Sequence, residues 1–223
     1  NTLHLPVPNV RVVRDQWAIQ INDAILNNCD LHRVYDIIYE PIIKNYWETK
    51  GHIPEAQWEN IDWKAQELAA KETPIGLKRW LTKNHSGHCG TGASMMKRLL
   101  QDHDECPVCG KGPEKILHVL LCPDERARQR WKHNLEIVHK WMVDTHGMPE
   151  LTRAVMQRLQ TWENDTPSLA PIRTKSRSVH AAIASQDAIG WYQFILGRVS
   201  LTFAATQHEY LASLYKKKTG LRW

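Results

Sequence analysis

CPVCGKGPEKILHVLLCP, residues 106–123, places three of the chain's five cysteines and one histidine within eighteen positions. The spacing is Cys106-x2-Cys109-x8-His118-x3-Cys122. Two thiolates separated by two residues can grip one ion from a tight turn, because their Cβ vectors converge where the chain reverses. His118 and Cys122 stand four residues apart in an apolar helical segment, so they face the same side one turn apart. The pattern therefore predicts a four-ligand metal site.

The types of ligand indicate what such a site does. Thiolate and imidazole suit Zn²⁺, whereas iron–sulfur clusters favour ligation by cysteine alone. A Cys3His set fills all four tetrahedral positions and leaves none for a water that zinc could activate. We therefore expect a structural Zn²⁺. The alternative is a set of unconnected buried thiols beside a core histidine.

Further potential ligands lie just upstream, in KNHSGHCGTG (residues 83–92). His85, His88 and Cys89 could form a second metal site, but no fourth convergent ligand accompanies them. A polar turn packed beside the zinc module is the favoured interpretation. His103, three residues before Cys106, is expected to be solvated or to donate a hydrogen bond to a thiolate.

Length and composition describe a globular protein. The 223 residues can bury a hydrophobic core without metal or disulfides, and 42% are hydrophobic against 24% charged. No apolar run approaches the roughly 20 residues that span a bilayer, so we expect a soluble protein with no membrane partner. The tight cysteine pair with one thiol left over favours a reducing, intracellular setting, nuclear or cytoplasmic. A first residue other than Met, with no secretory signal, suggests a piece of a longer polypeptide.

Hydrophobic periodicity predicts a mainly α protein with a short N-terminal β hairpin. The hairpin corresponds to NVRVVRDQWAIQI (residues 9–21), which is rich in β-branched residues and partly alternating. The clearest helix is at residues 123–147, where acidic residues open the first turn and apolar residues form one stripe. The stripe consists of Ala127, Trp131, Leu135, Val138 and Met142.

Four regions are predicted along the chain. They are an N-terminal hairpin and helical region (1–76), a zinc module with flanking helices (77–163), a linker (164–178) and a C-terminal helical pair (179–223). The linker is assigned from its Ser, Thr and basic residues together with Pro167 and Pro171.

Charge is distributed unevenly. Residues 1–72 hold seven Lys/Arg against eleven Asp/Glu, whereas residues 73–223 hold twenty-two against thirteen. If zinc folds the basic segments together, their cations form a patch that binds phosphates; the alternative is an ordinary solvated surface. The candidate binding residues are Lys97, Arg98, Lys111, Lys115, Arg126 and Arg130.

The succession SGHCGTGASMMKRLL, CPVCG and HVLLCP resembles the zinc-binding domain that follows the polymerase in non-LTR retrotransposon reverse transcriptases. The specific part covers roughly residues 77–131. A looser likeness, through IDWKA, IGWYQFILG and TGLRW, is to retroelement-derived open reading frames of diatoms and oomycetes. The resemblance implies that the module binds RNA or DNA through a site formed at Cys106, Cys109, His118 and Cys122, and that the rest of the parent polyprotein is a partner. The family usually has four residues between the histidine and the last cysteine; this chain has three.

The sequence offers little support for catalysis. There is no Tyr/Phe-x-Asp-Asp run of a polymerase. Asp124, Glu125 and Lys132 could be assigned to a nuclease, but acidic residues in the first turn of a helix are expected for dipole reasons alone. We therefore predict a non-catalytic nucleic-acid-binding module, with a protein-interaction or scaffolding domain as the alternative.

The ten tryptophans raise the possibility of base stacking. Trp80, Trp131 and Trp141 fall on amphipathic stripes, however, and core packing is the expected use of all three.

Overall fold

The computed structural model describes residues 10–13, 18–21, 23–26, 30–50, 53, 55–163, 166–167 and 170–220. The chain forms two compact units, Asn1–Glu55 and Ala56–Trp223. The predicted mainly α class is confirmed. None of the helices within the described ranges is long and apolar enough to cross a membrane.

The first unit contains an antiparallel sheet with strand order β1-β2-β3. Strand β1 (Val10–Val13) pairs with β2 (Ala18–Ile21), which confirms the hairpin predicted from the β-branched residues. Strand β3 (Ala24–Leu26) adds a third member that the sequence did not reveal, because only three residues pair with β2. Ile21 and Leu26 are buried.

Helix α1 (Leu31–Thr49) completes that unit. The side chain of Asp30 caps it by accepting the His32 N–H at 3.0 Å. Pro41 lies inside the helix and lacks the N–H that would extend the hydrogen-bond ladder. No residue of α1 is fully buried, although the helix contacts β2.

The second unit is helical apart from the short pair β4 (Trp162–Glu163) and β5 (Thr166–Pro167). In its described residues the helices are α2 (Glu55–Trp58), α3 (Trp63–Glu72), α4 (Ile75–His85), α5 (Gly92–Lys97), α6 (Ile116–Leu121), α7 (Glu125–Asp144), α8 (Pro149–Gln160), α9 (Arg177–Ile189), α10 (Trp191–Ile195) and α11 (Leu201–Thr219).

The hydrophobic core of this unit lies between α7, α8, α9 and α11. Helix α8 is the most deeply buried: Leu151, Ala154 and Val155 are each 0% exposed. Helix α7 packs on it through Leu135, the buried centre of the predicted stripe, with Trp131 and Met142 partly buried on either side. Full burial of one such side chain contributes about 1.5–3 kcal/mol, so this cluster dominates the stability of the unit.

A buried ion pair ties the helices together beside the core. Arg158 of α8, 2% exposed, forms two hydrogen bonds with Asp187 of α9, at 3.0 and 2.9 Å. The same guanidinium donates to the carbonyl of Ala170 at 2.7 Å, and the Trp191 indole N–H donates to Asp187 at 2.7 Å. Each charge thus has several partners, as burial requires.

The helical pair predicted for the C-terminal part is interrupted. The region predicted as a pair, residues 179–223, contains α9, α10 and α11, with Gly190 between the first two. Gly190 has φ +99°, a conformation outside the helical region that glycine adopts readily. The boundaries expected at residues 76, 163 and 178 stay a prediction; α8 and α9, on either side of the proposed linker, pack on the same core.

Two of the three tryptophans that were assigned to the core are exposed. Trp80 and Trp141 are 55% and 63% exposed, whereas Trp131 packs against the core as predicted. On α7 the neighbouring Met142 takes the inward position, and one residue corresponds to about 100° around a helix. The core-packing prediction is therefore wrong for Trp80 and Trp141.

Candidate metal centre

The first two candidate ligands lie in a tight turn, which we call the metal turn (residues 104–114). The Gly110 N–H donates to the Cys106 carbonyl at 2.8 Å, and an isolated bridge pairs Glu105 with Pro113. Gly110 and Gly112 have φ of +66° and +42°, values that residues with a Cβ adopt only at a cost. The turn therefore needs these glycines to bring Cys106 and Cys109 to one side.

The other two candidates come from α6 and the residue after it. His118 lies in α6, which ends at Leu121. Cys122 is the residue just beyond the helix, with φ −53° and ψ 130°, so it is not a helical ligand as the sequence suggested. The four-residue spacing still carries its side chain back toward His118.

All four side chains converge on one point. Their potential ligand atoms lie within 4.8 Å of one another. The Cys106 and Cys122 sulfurs are 3.9 Å apart, and the Cys109 sulfur is 3.3 Å from Nε2 of His118. A disulfide requires about 2.05 Å between sulfurs, so these cysteines are free thiols. The cluster could hold a metal ion.

The environment of each buried thiol affects its ionisation differently. Burial opposes ionisation of Cys106, but the N–H groups of Cys109 and Val108 donate to its sulfur and leave its pKa below the usual value of a thiol. Burial raises the pKa of Cys122, and the nearby sulfurs of Cys109 and Cys106 raise it further. A bound cation would offset this effect and favour the thiolate form of Cys122.

Helix α5 supports the metal turn through backbone and carboxylate contacts. The Glu114 carboxylate accepts the Gly92 N–H at 2.6 Å, a favourable place for a negative charge at a helix N-terminus. Glu114 also donates its N–H to the Asp104 carbonyl at 2.6 Å and accepts the Ala93 N–H at 3.2 Å. A Cβ on Gly92 would lie 2.8 Å from the Asp104 carbonyl oxygen.

Sequence reasoning missed Glu114 because its contact with Gly92 spans 22 positions. The available signal was the glycine pair in GTGAS (residues 90–94), which marks close approach of two backbone segments. The segment before the cysteines is thus part of the metal centre's support.

The six predicted nucleic-acid-binding residues are all exposed. Lys111 and Lys115 lie within or beside the metal turn, Lys97 and Arg98 at the end of α5, and Arg126 and Arg130 one turn apart on α7. Within the described part of the chain, Lys97, Lys111, Lys115 and Arg130 form no ion pair. Arg126 pairs with Asp124 at 3.2 Å, and Arg98 donates to the His88 carbonyl at 3.3 Å.

The second group of potential ligands does not assemble. His85 Nδ1 lies 3.4 Å from Gln66 Nε2, His88 Nδ1 lies 2.8 Å from the Ser86 carbonyl, and Cys89 is hydrogen-bonded to Asn84 at 3.7 Å. Burial lowers the pKa of His85, and the nearby charge of Arg198 lowers it further. Over the described ranges, one group of three or more such ligands converges, and it is the Cys3His cluster.

Asp124 and Glu125, the acidic residues that a nuclease would require, make local contacts in the first turn of α7. Asp124 caps α7 by accepting the Arg126 N–H at 3.0 Å. Glu125 accepts a hydrogen bond from Gln129 at 3.2 Å, one turn along the same helix. Both contacts are those expected of acidic residues in a first helical turn.

A groove of about 1300 Å³ begins at the metal centre and runs between α6, α7 and α8. His118 and Cys122 line one end. Apolar side chains from all three helices line it, among them Leu121, Trp131 and Met156. Charged side chains of both signs line it as well: Lys115, Glu125, Arg128, Lys132 and Glu136. No feature of the sequence predicted it, because it depends on the angles at which three consecutive helices pack.

Comparisons of this chain with protein-family models, curated proteins and solved structures return no match. The resemblance to the retrotransposon zinc-binding domain therefore stays a prediction based on the motifs themselves.

Proposed function

We propose that this chain is a non-catalytic nucleic-acid-binding module that is organised by a structural Zn²⁺. The observation that carries the proposal is the convergence of four metal-ligand side chains within 4.8 Å, with basic residues in and around the loop that they close. RNA or DNA is the proposed partner, bound without base-specific contacts from the basic residues.

Zinc is the metal that suits this cluster best. With Zn–S bonds of about 2.3 Å, the edge of a tetrahedral site between two sulfurs is about 3.8 Å. The 3.9 Å between the Cys106 and Cys122 sulfurs is close to that edge, and the shorter 3.3 Å from Cys109 to His118 agrees with a shorter Zn–N bond. Four protein ligands would leave no open position, so the ion's role would be to fix the turn.

The charges around the cluster support an anionic partner. Lys111 and Lys115 lie between the second and third ligands in sequence, so a metal that closes this loop also fixes their positions. Arg126 and Arg130 begin the helix that follows the fourth ligand. Cations held in place by the fold bind phosphates with less loss of conformational freedom than cations on a mobile loop.

The proposed setting is the reverse-transcriptase polyprotein of a retroelement, in the nucleus or cytoplasm. There the module would position template or target nucleic acid for a polymerase encoded elsewhere in the same polypeptide. This part of the proposal rests on the motif resemblance over residues 77–131.

The groove favours a second candidate function, a protein-interaction domain. Its lining of mixed apolar and charged side chains and its volume of about 1300 Å³ would suit an amphipathic partner helix or extended peptide. In that case zinc would stabilise a helical scaffold, and the basic residues would serve solubility.

Binding at increasing salt separates the two functions. We expect fluorescently labelled single-stranded or duplex nucleic acid to bind at low salt, with log affinity falling linearly with log salt. Substitution of Lys111, Arg126 and Arg130 by Gln should weaken binding and reduce the slope by about 0.9 for each phosphate contact that is lost.

Lys140→Gln is the control, because Lys140 is also exposed on α7 but lies near its C-terminal end, away from Arg126 and Arg130. It should leave the slope unchanged. Absence of measurable binding at low salt, or equal slopes in the triple variant and the wild type, would contradict nucleic-acid binding through this surface and leave the interaction domain as the better account.

A further inference from the structure

Leu99 is the most exposed large apolar side chain in the described part of the chain. It is 91% exposed, and it follows α5 in the turn that leads to the metal centre. Leu100 and Met96 beside it are 63% and 39% exposed. A single exposed leucine would need no explanation, but three exposed large apolar residues within five positions form a cluster that does.

The backbone at Leu99 makes the choice of residue more unusual. The Leu100 N–H donates to the Met95 carbonyl at 3.1 Å, and the Leu99 N–H donates to the Met96 carbonyl at 2.9 Å. These two bonds form the Schellman motif that ends many helices, in which the residue at the Leu99 position is usually glycine. Leu99 has φ +59°, in the left-handed region that is unfavourable for a leucine.

The end of α7 shows the same motif with a different outcome. His146 also has φ +59°, and the Gly147 N–H donates to the Met142 carbonyl. There the carbonyl of His146 accepts a hydrogen bond from Gln207 at 3.2 Å, which ties the turn to α11. Among the described residues these are the two non-glycine positions of positive φ, and only the leucine presents an apolar side chain to solvent.

The turn holds Leu99 firmly and places cations next to it. Gln101 donates to the carbonyls of Gly92 and His103, at 3.1 and 2.6 Å, which fixes the return of the chain toward the metal turn. Lys97 and Arg98 directly precede Leu99 and are exposed. An apolar projection with two cations on its N-terminal side is complementary to a partner with anionic groups beside an apolar surface.

Nucleic acid has that arrangement, because its phosphates flank the flat faces of the bases. We propose that Leu99 inserts between neighbouring bases of the bound nucleic acid, while Lys97 and Arg98 contact the adjacent phosphates. Leucine is among the apolar residues that proteins use as wedges to unstack a base step. This inference rests on the proposed function and specifies how the protein distorts the bound strand.

The test replaces Leu99 by Asn, which tolerates the left-handed conformation and removes the apolar wedge. The probes are a short DNA duplex and its single strand, each carrying one 2-aminopurine whose fluorescence rises when it is unstacked. We expect the wild type to raise the fluorescence of a probe on binding. Leu99→Asn should abolish that rise, lower the affinity about tenfold and leave the melting temperature unchanged or higher.

Ile75→Asn is the control, because Ile75 is 70% exposed on α4 and lies outside the turn. It should change neither affinity nor fluorescence. Salt-dependent binding with no fluorescence rise for either probe, or with wild-type affinity in Leu99→Asn, would overturn insertion while the proposed function stands. No binding of either probe at low salt would overturn both.

Discussion

The metal turn and the helical core of α7, α8, α9 and α11 belong to the same compact unit but are stabilised in different ways. The core buries Leu151, Val155 and ten further apolar side chains. In the metal turn (residues 104–114) the buried apolar side chain is Cys106, itself a candidate ligand. The core can therefore be stabilised by hydrophobic burial, whereas the metal turn depends on backbone hydrogen bonds and on an ion that joins its thiols to His118.

This difference predicts that the two regions respond to different perturbations. Loss of the metal should unfold the turn and spare the core. Changes in the core should lower the free energy of unfolding while the metal affinity of the folded protein stays the same. The following experiments are arranged from the largest expected effect to the smallest.

Removal of the metal should have the largest effect, and it should be local. Binding of a structural zinc supplies on the order of 10 kcal/mol. After chelation, or in Cys109→Ser, we expect the amides of Gly110 and Glu114 to exchange rapidly with deuterium, because their hydrogen bonds to Cys106 and Asp104 lose support. Hydrogen–deuterium exchange measured by mass spectrometry should show that the amides of α8 remain protected. If the amides of the metal turn exchange equally slowly with and without metal, the turn does not depend on the ion.

Arg158→Ala should destabilise the core by about 3–5 kcal/mol, because it leaves the partly buried carboxylate of Asp187 without its bidentate partner. Denaturant unfolding would measure the loss, and the zinc content should not change. Arg153→Ala is the matched control, since Arg153 is exposed on the same helix and should cost less than about 0.5 kcal/mol. Similar costs for the two variants would show that the buried ion pair does not hold α8 to α9.

Leu151→Ala should destabilise the protein by about 3 kcal/mol, because the side chain is 0% exposed and its loss leaves a cavity. Val108→Ala offers the comparison within the metal turn. Val108 is 37% exposed, so its truncation should cost less than about 0.5 kcal/mol in thermal or denaturant unfolding. A large effect of Val108→Ala would mean that hydrophobic burial also stabilises the turn.

Gly92→Ala should destabilise the folded metal turn by about 2 kcal/mol, because the new Cβ would lie 2.8 Å from the backbone oxygen of Asp104. A lower zinc affinity in competition with a chelator would report the effect. Gly76→Ala, in open space on α4, should instead stabilise by up to about 1 kcal/mol and leave zinc affinity unchanged. Unchanged zinc affinity in Gly92→Ala would argue that α5 does not support the metal turn.

The sequence predicted the parts of this structure that depend on local pattern. Helical periodicity placed α7, and β-branched residues placed the hairpin of β1 and β2. The cysteine and histidine spacing identified the four side chains that converge. In each case residues close in the chain determine the feature, so periodicity and spacing are sufficient.

The parts that it missed depend on backbone conformation and packing that the local sequence pattern does not show. Glu114 reaches Gly92 across the metal turn, and the groove takes its walls from three helices. Trp141 lies on an apolar stretch of α7, yet the helices that pack against α7 leave it exposed. The left-handed conformation of Leu99 is set by the end of α5, although the residue itself gives no such signal.

The most direct test of the account is the zinc content and helicity of the wild type, Cys109→Ser and His118→Ala, measured by native mass spectrometry and circular dichroism after refolding with zinc. We predict one zinc ion per wild-type chain, none in either variant, and a partial loss of helicity that leaves the signal of the core helices. Bound zinc and unchanged helicity in both variants would contradict a zinc site formed by Cys106, Cys109, His118 and Cys122.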